Sequence, residues 1–162
     1  MNWRRLALIS ACAIGFSACE TTGAPHDAAP VLITLERTPC FGFCPDYTVS
    51  IDGEGNVTYN GGRFVAVTGE QHAKASSQDV AALLRAFDAV RFFSLRDAYR
   101  ANATDLPTTI VTLTRNHHTK RVLDYAGASV GMPQGVIALE QQIDRVAHTE
   151  AWVARPIAPT AK

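Results

Sequence analysis

Two cysteines, Cys40 and Cys44, have the clearest chemical potential in this chain, within the stretch TPCFGFCPDY. A pair of thiols at this spacing can form a disulfide, bind a soft metal ion, or act as a redox couple. Two thiolates and one imidazole would suit Cu(I), and His118 is our candidate for that third ligand among the downstream histidines. The three alternatives predict different functions, so the elements around the pair must decide between them.

We favour the structural disulfide. Gly42 can adopt a left-handed conformation within the short link, and Pro39 and Pro45 stiffen its two ends. In the chain-entropy model, closing so short a loop contributes about 2 kcal/mol. The alternative copper site has the C-x-x-x-C-P spacing of Sco-type copper chaperones, whose motif begins a helix, whereas DYTVSID follows here and predicts a strand. A redox couple usually has the C-x-x-C spacing at a helix N-terminus, which this stretch lacks.

The N-terminal sequence MNWRRLALISACAIGFSACE has the features of a bacterial lipoprotein signal peptide. Arg4 and Arg5 form a basic region, residues 6–16 are apolar but too few to span a bilayer, and Cys19 follows small residues. This arrangement resembles a lipobox, so we expect cleavage just before Cys19 and lipidation of that cysteine. The resemblance implies membrane attachment through the lipid, and Glu20 favours the outer membrane over the inner one.

These features divide the chain into a signal peptide at 1–18, a lipidated tether at 19–30, a single α+β domain at 31–153 and a flexible tail at 154–162. Removal of the signal leaves 13 basic and 15 acidic residues, so the lipid alone would hold the protein at the membrane. We expect the domain to face the periplasm, an oxidising compartment in which disulfides persist.

Hydrophobic periodicity predicts an α+β fold. Alternating or β-branched segments indicate strands, and apolar spacings of three and four residues indicate two amphipathic helices. We predict an antiparallel sheet in the order ββββ-α-ββ-α, with both helices packed on one face. The predicted strands are 31–37, 46–52, 57–60, 63–69, 108–115 and 119–126, and the predicted helices begin at Ser76 or Ser77 and at Gln134.

The segment ITLERTPCFGFCPDYTVSIDGEGNVTYNG resembles the signature of a bacterial family, domain of unknown function 6438. The matching pattern is C-x-G-x-C-P-x-Y, followed by a strand, an acidic-Gly turn and a second strand that ends near Tyr59 and Gly61. The similarity extends over roughly residues 31–150. The resemblance supports the domain limits and implies no known activity.

Composition and motifs exclude several function classes. The formal net charge is zero and no Lys/Arg-rich run occurs, which argues against a nucleic-acid partner. No G-x-S-x-G, H-E-x-x-H or P-loop motif occurs, so nothing predicts an enzyme. Glu140 and Asp144 lie one helical turn apart and are expected on a solvated helix face.

We therefore predict a lipid-anchored envelope protein that is a non-catalytic interaction or accessory module, with an envelope protein as its partner and no cofactor. The alternative is a periplasmic copper-binding or thiol-redox protein that uses Cys40 and Cys44.

Overall fold

Seven β-strands and two α-helices form the part of the chain that the computed structural model describes, residues 30–153. The strands form one sheet in the order β4-β3-β2-β1-β6-β7-β5. All neighbouring strands are antiparallel except β5 and β7, which are parallel. The strands are β1 (Leu32–Arg37), β2 (Tyr47–Asp52), β3 (Asn56–Gly61), β4 (Gly69–Lys74), β5 (Ala98–Arg100), β6 (Thr109–Arg115) and β7 (His118–Tyr125).

The two faces of the sheet differ in polarity because side chains alternate along each strand. On one face, Ile33, Leu35, Val49 and Ile51 are fully buried. The opposite, open face is rich in hydroxyl groups, including Thr34, Thr48, Ser50, Thr58 and Thr112, all of them only partly buried. β-Branched residues on both faces favour the extended backbone, so the sequence specifies the strands and their orientation together.

The two helices cover the apolar face. Helix α1 (Ser77–Ala89) begins at Ser76, whose hydroxyl accepts the Asp79 N–H at 3.0 Å. Helix α2 (Gln134–Ala147) packs against α1 and against β1 and β2. Leu83 of α1 and Ile143 of α2 are fully buried in the same core as the strands. The predicted α+β class, both helices and the cap at Ser76 are confirmed.

The fourth predicted strand, 63–69, is wrong. These residues form an irregular loop, and β4 begins only at Gly69. The main chain of the loop bonds to other segments: the Val67 N–H donates to the carbonyl of Trp152 at 3.0 Å, and the carbonyl of Arg63 accepts the Asp46 N–H at 3.0 Å. Tertiary contacts therefore outweigh the strand-like alternation of RFVAVTG.

A further strand, β5, lies between the first helix and residue 108, where the sequence predicts no strand. It has three residues, and Tyr99 at its centre is buried. Three residues are too few for a periodic pattern to be recognised. The observed order of elements is therefore ββββ-α-β-ββ-α rather than ββββ-α-ββ-α.

The expected signal peptide, the lipidation site Cys19 and the C-terminal tail all lie outside the described residues. Within residues 30–153, no helix is both long and apolar enough to cross a membrane.

Candidate functional site

The disulfide loop, residues 40–44, lies between the end of β1 and the start of β2. Cys40 and Cys44 form a disulfide, and their Cα atoms are 5.6 Å apart. Gly42, between them, has a φ angle of +153°, which residues with a Cβ rarely adopt. The sequence CFGFC therefore folds into a closed turn that depends on one covalent bond and one glycine.

Neighbouring loops hold the disulfide loop on both sides. The Phe41 N–H donates to the carbonyl of Asp105 at 3.2 Å, and the Thr38 N–H donates to that of Thr108 at 2.9 Å. On the other side, the Asp46 carbonyl accepts the Gly62 N–H at 2.8 Å. Main-chain hydrogen bonds within the domain thus fix the loop and its two flanks.

Three phenylalanines at this end of the molecule are exposed, and we call them the aromatic rim. The exposed fraction is 88% for Phe41, 53% for Phe43 and 40% for Phe64. The rings of Phe43 and Phe64 meet edge to face with centroids 5.3 Å apart, and the Arg63 guanidinium lies 5.9 Å from the Phe64 centroid. Aromatic and arginine side chains supply much of the binding energy at protein interfaces, so the rim has the composition of a binding surface.

Beneath this end of the sheet, a row of polar side chains crosses four strands on the helix-covered face. Arg37 on β1 lies opposite both Tyr47 on β2 and Thr109 on β6. Thr109 in turn lies opposite Asp124 on β7. The apolar core therefore ends where this polar row begins. Polar side chains of α2 contact the row from the helix side.

Asp144 of α2 joins the first part of this row. Its Oδ2 accepts Arg37 Nη2–H at 2.7 Å and Nε–H at 3.2 Å. Its Oδ1 accepts the Tyr47 hydroxyl at 2.7 Å and the Thr149 hydroxyl at 2.9 Å. The carboxylate thus accepts four hydrogen bonds and ties α2 to β1, β2 and the segment after α2.

The electrostatics of this cluster favour structure over catalysis. Burial and the adjacent Asp144 raise the pKa of Tyr47, so its hydroxyl stays protonated and acts as a donor. Burial alone would lower the pKa of Arg37, but Asp144 and Tyr47 outweigh burial and raise it. Neither Tyr47 nor Arg37 is therefore poised to exchange a proton near neutral pH.

Glu140, one turn before Asp144, is buried with 5% of its surface exposed. Burial raises its pKa to about 8, and the nearby Asp124 adds to the effect. Glu140 is therefore protonated at neutral pH, and its Oε1 has no hydrogen-bond partner among the described residues. The predicted solvated helix face is wrong for both carboxyl groups, because Asp144 is partly buried in an ion pair and Glu140 is inside the protein.

A groove of about 450 Å³ lies beside the disulfide loop. Its acidic lining residues are Glu36 and Asp46. Asp46 pairs with Arg63 at 3.6 Å, and the lining Arg37 pairs with Asp144. A polar or cationic side chain of a partner would suit this groove. Its lining also includes Pro39, Tyr47, Thr48 and Asn60.

A comparison with family models gives one match, Domain of unknown function (DUF6438), over residues 31–147. The chain belongs to this family. The predicted resemblance is thereby confirmed, and in this DUF6438 domain the matched region includes the disulfide loop, the polar row and both helices. A comparison with curated proteins finds no significant match.

The DUF6438 domain does not bring the proposed copper ligands together. Cys40 follows the C-terminal end of β1, whereas His118 begins β7 next to Arg115, which lies at the opposite end of the sheet. The antiparallel register between β1 and β6 separates the two ends by a full strand length. Within residues 30–153, no group of three or more His, Cys, Asp or Glu side chains is arranged to hold a metal ion.

Proposed function

We propose that this chain is a lipid-anchored protein of the bacterial cell envelope whose domain faces the periplasm and binds a partner protein without catalysing a reaction. The aromatic rim and the adjoining groove would form the binding surface. The observation that carries this proposal is the 88% exposure of Phe41 on a loop closed by a disulfide.

The rigidity of the disulfide loop supports a role in binding. Burying a phenylalanine side chain contributes about 1.5–3 kcal/mol, which Phe41 does not gain from contacts with residues 30–153. Association costs less conformational entropy when the contacting loop is already fixed, as the disulfide and the main-chain hydrogen bonds fix this one. A rigid turn that exposes aromatic rings is therefore suited to anchor a partner.

The charges near the rim favour a protein over a lipid surface as the partner. Residues 38–47 contain no Lys or Arg, and the charge of Arg63 beside Phe64 is offset by Asp46, which lies 3.6 Å away in the groove lining. Peripheral membrane binding usually combines apolar side chains with basic residues that attract anionic headgroups. Attachment to the membrane is assigned instead to the lipid on Cys19, which rests on the lipobox-like sequence.

A photocrosslinking experiment on the full chain in its own cells tests this proposal. A photoreactive phenylalanine analogue would replace Phe41 and, in a matched control, Phe93, which is also an exposed phenylalanine at 44%. We expect one protein adduct from position 41 and none of the same mass from position 93. A second substitution, Phe43→Ser, should lower the yield from position 41 several-fold, because it removes part of the rim.

Two results would refute the binding surface. The first is a phospholipid adduct in place of a protein adduct at position 41. The second is an adduct pattern that is identical at positions 41 and 93 and unaffected by Phe43→Ser.

A further inference from the structure

Strand β4 forms one edge of the described sheet and pairs only with β3. The pairing runs without interruption from Gly61 opposite Gly69 to Asn56 opposite Lys74. The strand contains no proline and its register shows no bulge, which are two common ways of blocking an edge. Its outer N–H and C=O groups are therefore available to another extended strand.

Symmetry restricts how two copies of β4 can pair. A two-fold axis perpendicular to the sheet makes the strands antiparallel and keeps the helices of both copies on the same side. Residues directly opposite each other must then point to the same face, so open-face residues of one copy meet open-face residues of the other. On β4 these are the exposed side chains Glu70, His72 and Lys74.

The charge pattern selects one of the allowed registers. When His72 lies on the axis opposite the second copy's His72, Glu70 lies opposite Lys74 and Lys74 lies opposite Glu70. Directly opposed unlike charges stabilise an antiparallel pair, and opposed like charges destabilise it. Shifting the axis by one residue, to Gln71 or to Ala73, places His72 opposite Glu70 or Lys74 and ends the pairing of Glu70 with Lys74. Shifting it by two residues, to Glu70 or to Lys74, opposes like charges.

We propose that two copies of this chain associate through their β4 edges, in the register that centres on His72 and pairs Glu70 with Lys74 twice. The occupant of the edge is a second copy because the sequence Glu-x-His-x-Lys is complementary to itself when reversed. The result is a continuous sheet of fourteen strands across the two described domains, from the seven in each. This inference does not rest on the binding surface at the disulfide loop, whose three phenylalanines all lie outside β4.

Cysteine crosslinking of the full chain in the envelope tests the register. In the proposed dimer, the two His72 Cα atoms lie about 4.5–5.5 Å apart, within the range that a disulfide spans. Thr58 lies opposite His72 on β3, so the two Thr58 residues are about 14 Å apart across three strand spacings. We expect His72→Cys to give a disulfide-linked dimer on mild oxidation and Thr58→Cys to give at least tenfold less.

Charge reversal tests the specificity of the pairing in the His72→Cys background. Glu70→Lys alone, or Lys74→Glu alone, turns two attractive pairs into two repulsive ones and should lower the dimer yield about tenfold. The double variant Glu70→Lys/Lys74→Glu restores both attractive pairs and should restore the yield. Equal crosslinking at positions 72 and 58, or a double variant no better than either single one, would overturn the proposal.

Discussion

The hydroxyl of Tyr47 donates a 2.7 Å hydrogen bond to Oδ1 of Asp144, although 97 positions separate the two residues in the chain. Because Arg37 also donates to Asp144, one carboxylate connects the first two strands to the last helix. This contact lies directly beneath the end of the sheet where the disulfide loop projects. Arg37 and Tyr47 therefore both line the groove of the candidate binding surface and hold α2 through Asp144.

Loss of the Asp144 carboxylate should destabilise the domain strongly. Asp144→Ala would leave the Arg37 guanidinium and the Tyr47 hydroxyl partly buried without their acceptor, at a cost of about 2–4 kcal/mol. Tyr47→Phe removes a hydroxyl that donates to Asp144 and accepts Arg37 Nε–H at 3.0 Å, and it should cost about 1 kcal/mol because Arg37 keeps its hydrogen bonds to Asp144. Urea unfolding measures both. As a control, Asp88→Ala breaks the exposed ion pair with Arg115 and should cost less than about 1 kcal/mol; an equal cost for Asp88→Ala and Asp144→Ala would contradict the assigned role.

Stability should fall with rising pH because of Glu140. Its pKa is raised to about 8 in the folded protein, whereas in an unfolded chain it lies near the ordinary value of 4.5. Between pH 4.5 and pH 8, Glu140 is protonated in the folded state and ionised in the unfolded state. The stabilisation that the protonated Glu140 gives the folded state is therefore complete below pH 4.5 and is lost as the pH approaches 8. The free energy of unfolding should fall by up to about 1.4 kcal/mol per pH unit in this window.

Glu140→Gln provides the test of that slope. The amide does not titrate, so the variant should lose most of the decline in stability between pH 5 and 8. Glu36→Gln, on the exposed face of β1, serves as the control and should keep the decline. A Glu140→Gln protein whose unfolding free energy declines as steeply as that of the wild type would show that Glu140 does not cause it.

The disulfide should stabilise the domain without binding metal. Replacing both Cys40 and Cys44 by Ser should lower the free energy of unfolding by about 2 kcal/mol. The reason is that the unfolded chain regains the conformational entropy that the short closed loop removes. The intact mass of the protein purified without reductant should be two protons short of the reduced mass, with no thiol labelling. Stoichiometric copper in the same sample, or free labelled thiols, would instead support the copper or thiol-redox alternative.

Membrane attachment should depend on Cys19. Cys19→Ala should either release the protein from the membrane fraction or leave it held by an uncleaved signal peptide, which is visible as a higher mass. Fractionation and intact mass of the full chain in its own cells measure both. A variant that matures to the wild-type mass and remains in the membrane would exclude the lipobox interpretation.

Local patterns in the sequence predicted the fold class, both helices and most strands, since alternation and helical spacing are local properties. The position of β4 was not predictable in this way, because Val65 and Val67 alternate like strand residues but belong to a loop fixed by Trp152 and Asp46. The short β5 owes its structure to pairing with β7 rather than to its own sequence.

The candidate site was predicted only in part. The spacing of Cys40 and Cys44 indicated a closed turn, but the exposure of the aromatic rim depends on how three loops meet. The inward direction of Arg37 could have been inferred, because it alternates in step with the buried Ile33 and Leu35. Glu140 and Asp144 likewise occupy the i+4 and i+8 positions of the buried stripe that begins at Val136, positions that face the sheet.

The three-residue strand β5 has a consequence for assembly. β5 forms the other edge of the described sheet, and its three residues are too few to pair stably with a strand of a second copy. β4 is therefore the single long edge of the described sheet that self-association can use. In the proposed two-fold dimer, the β4 edges of both copies pair with each other, so neither β4 edge can pair with a third copy. Growth by strand addition would therefore stop at two chains and would not produce an open-ended fibril.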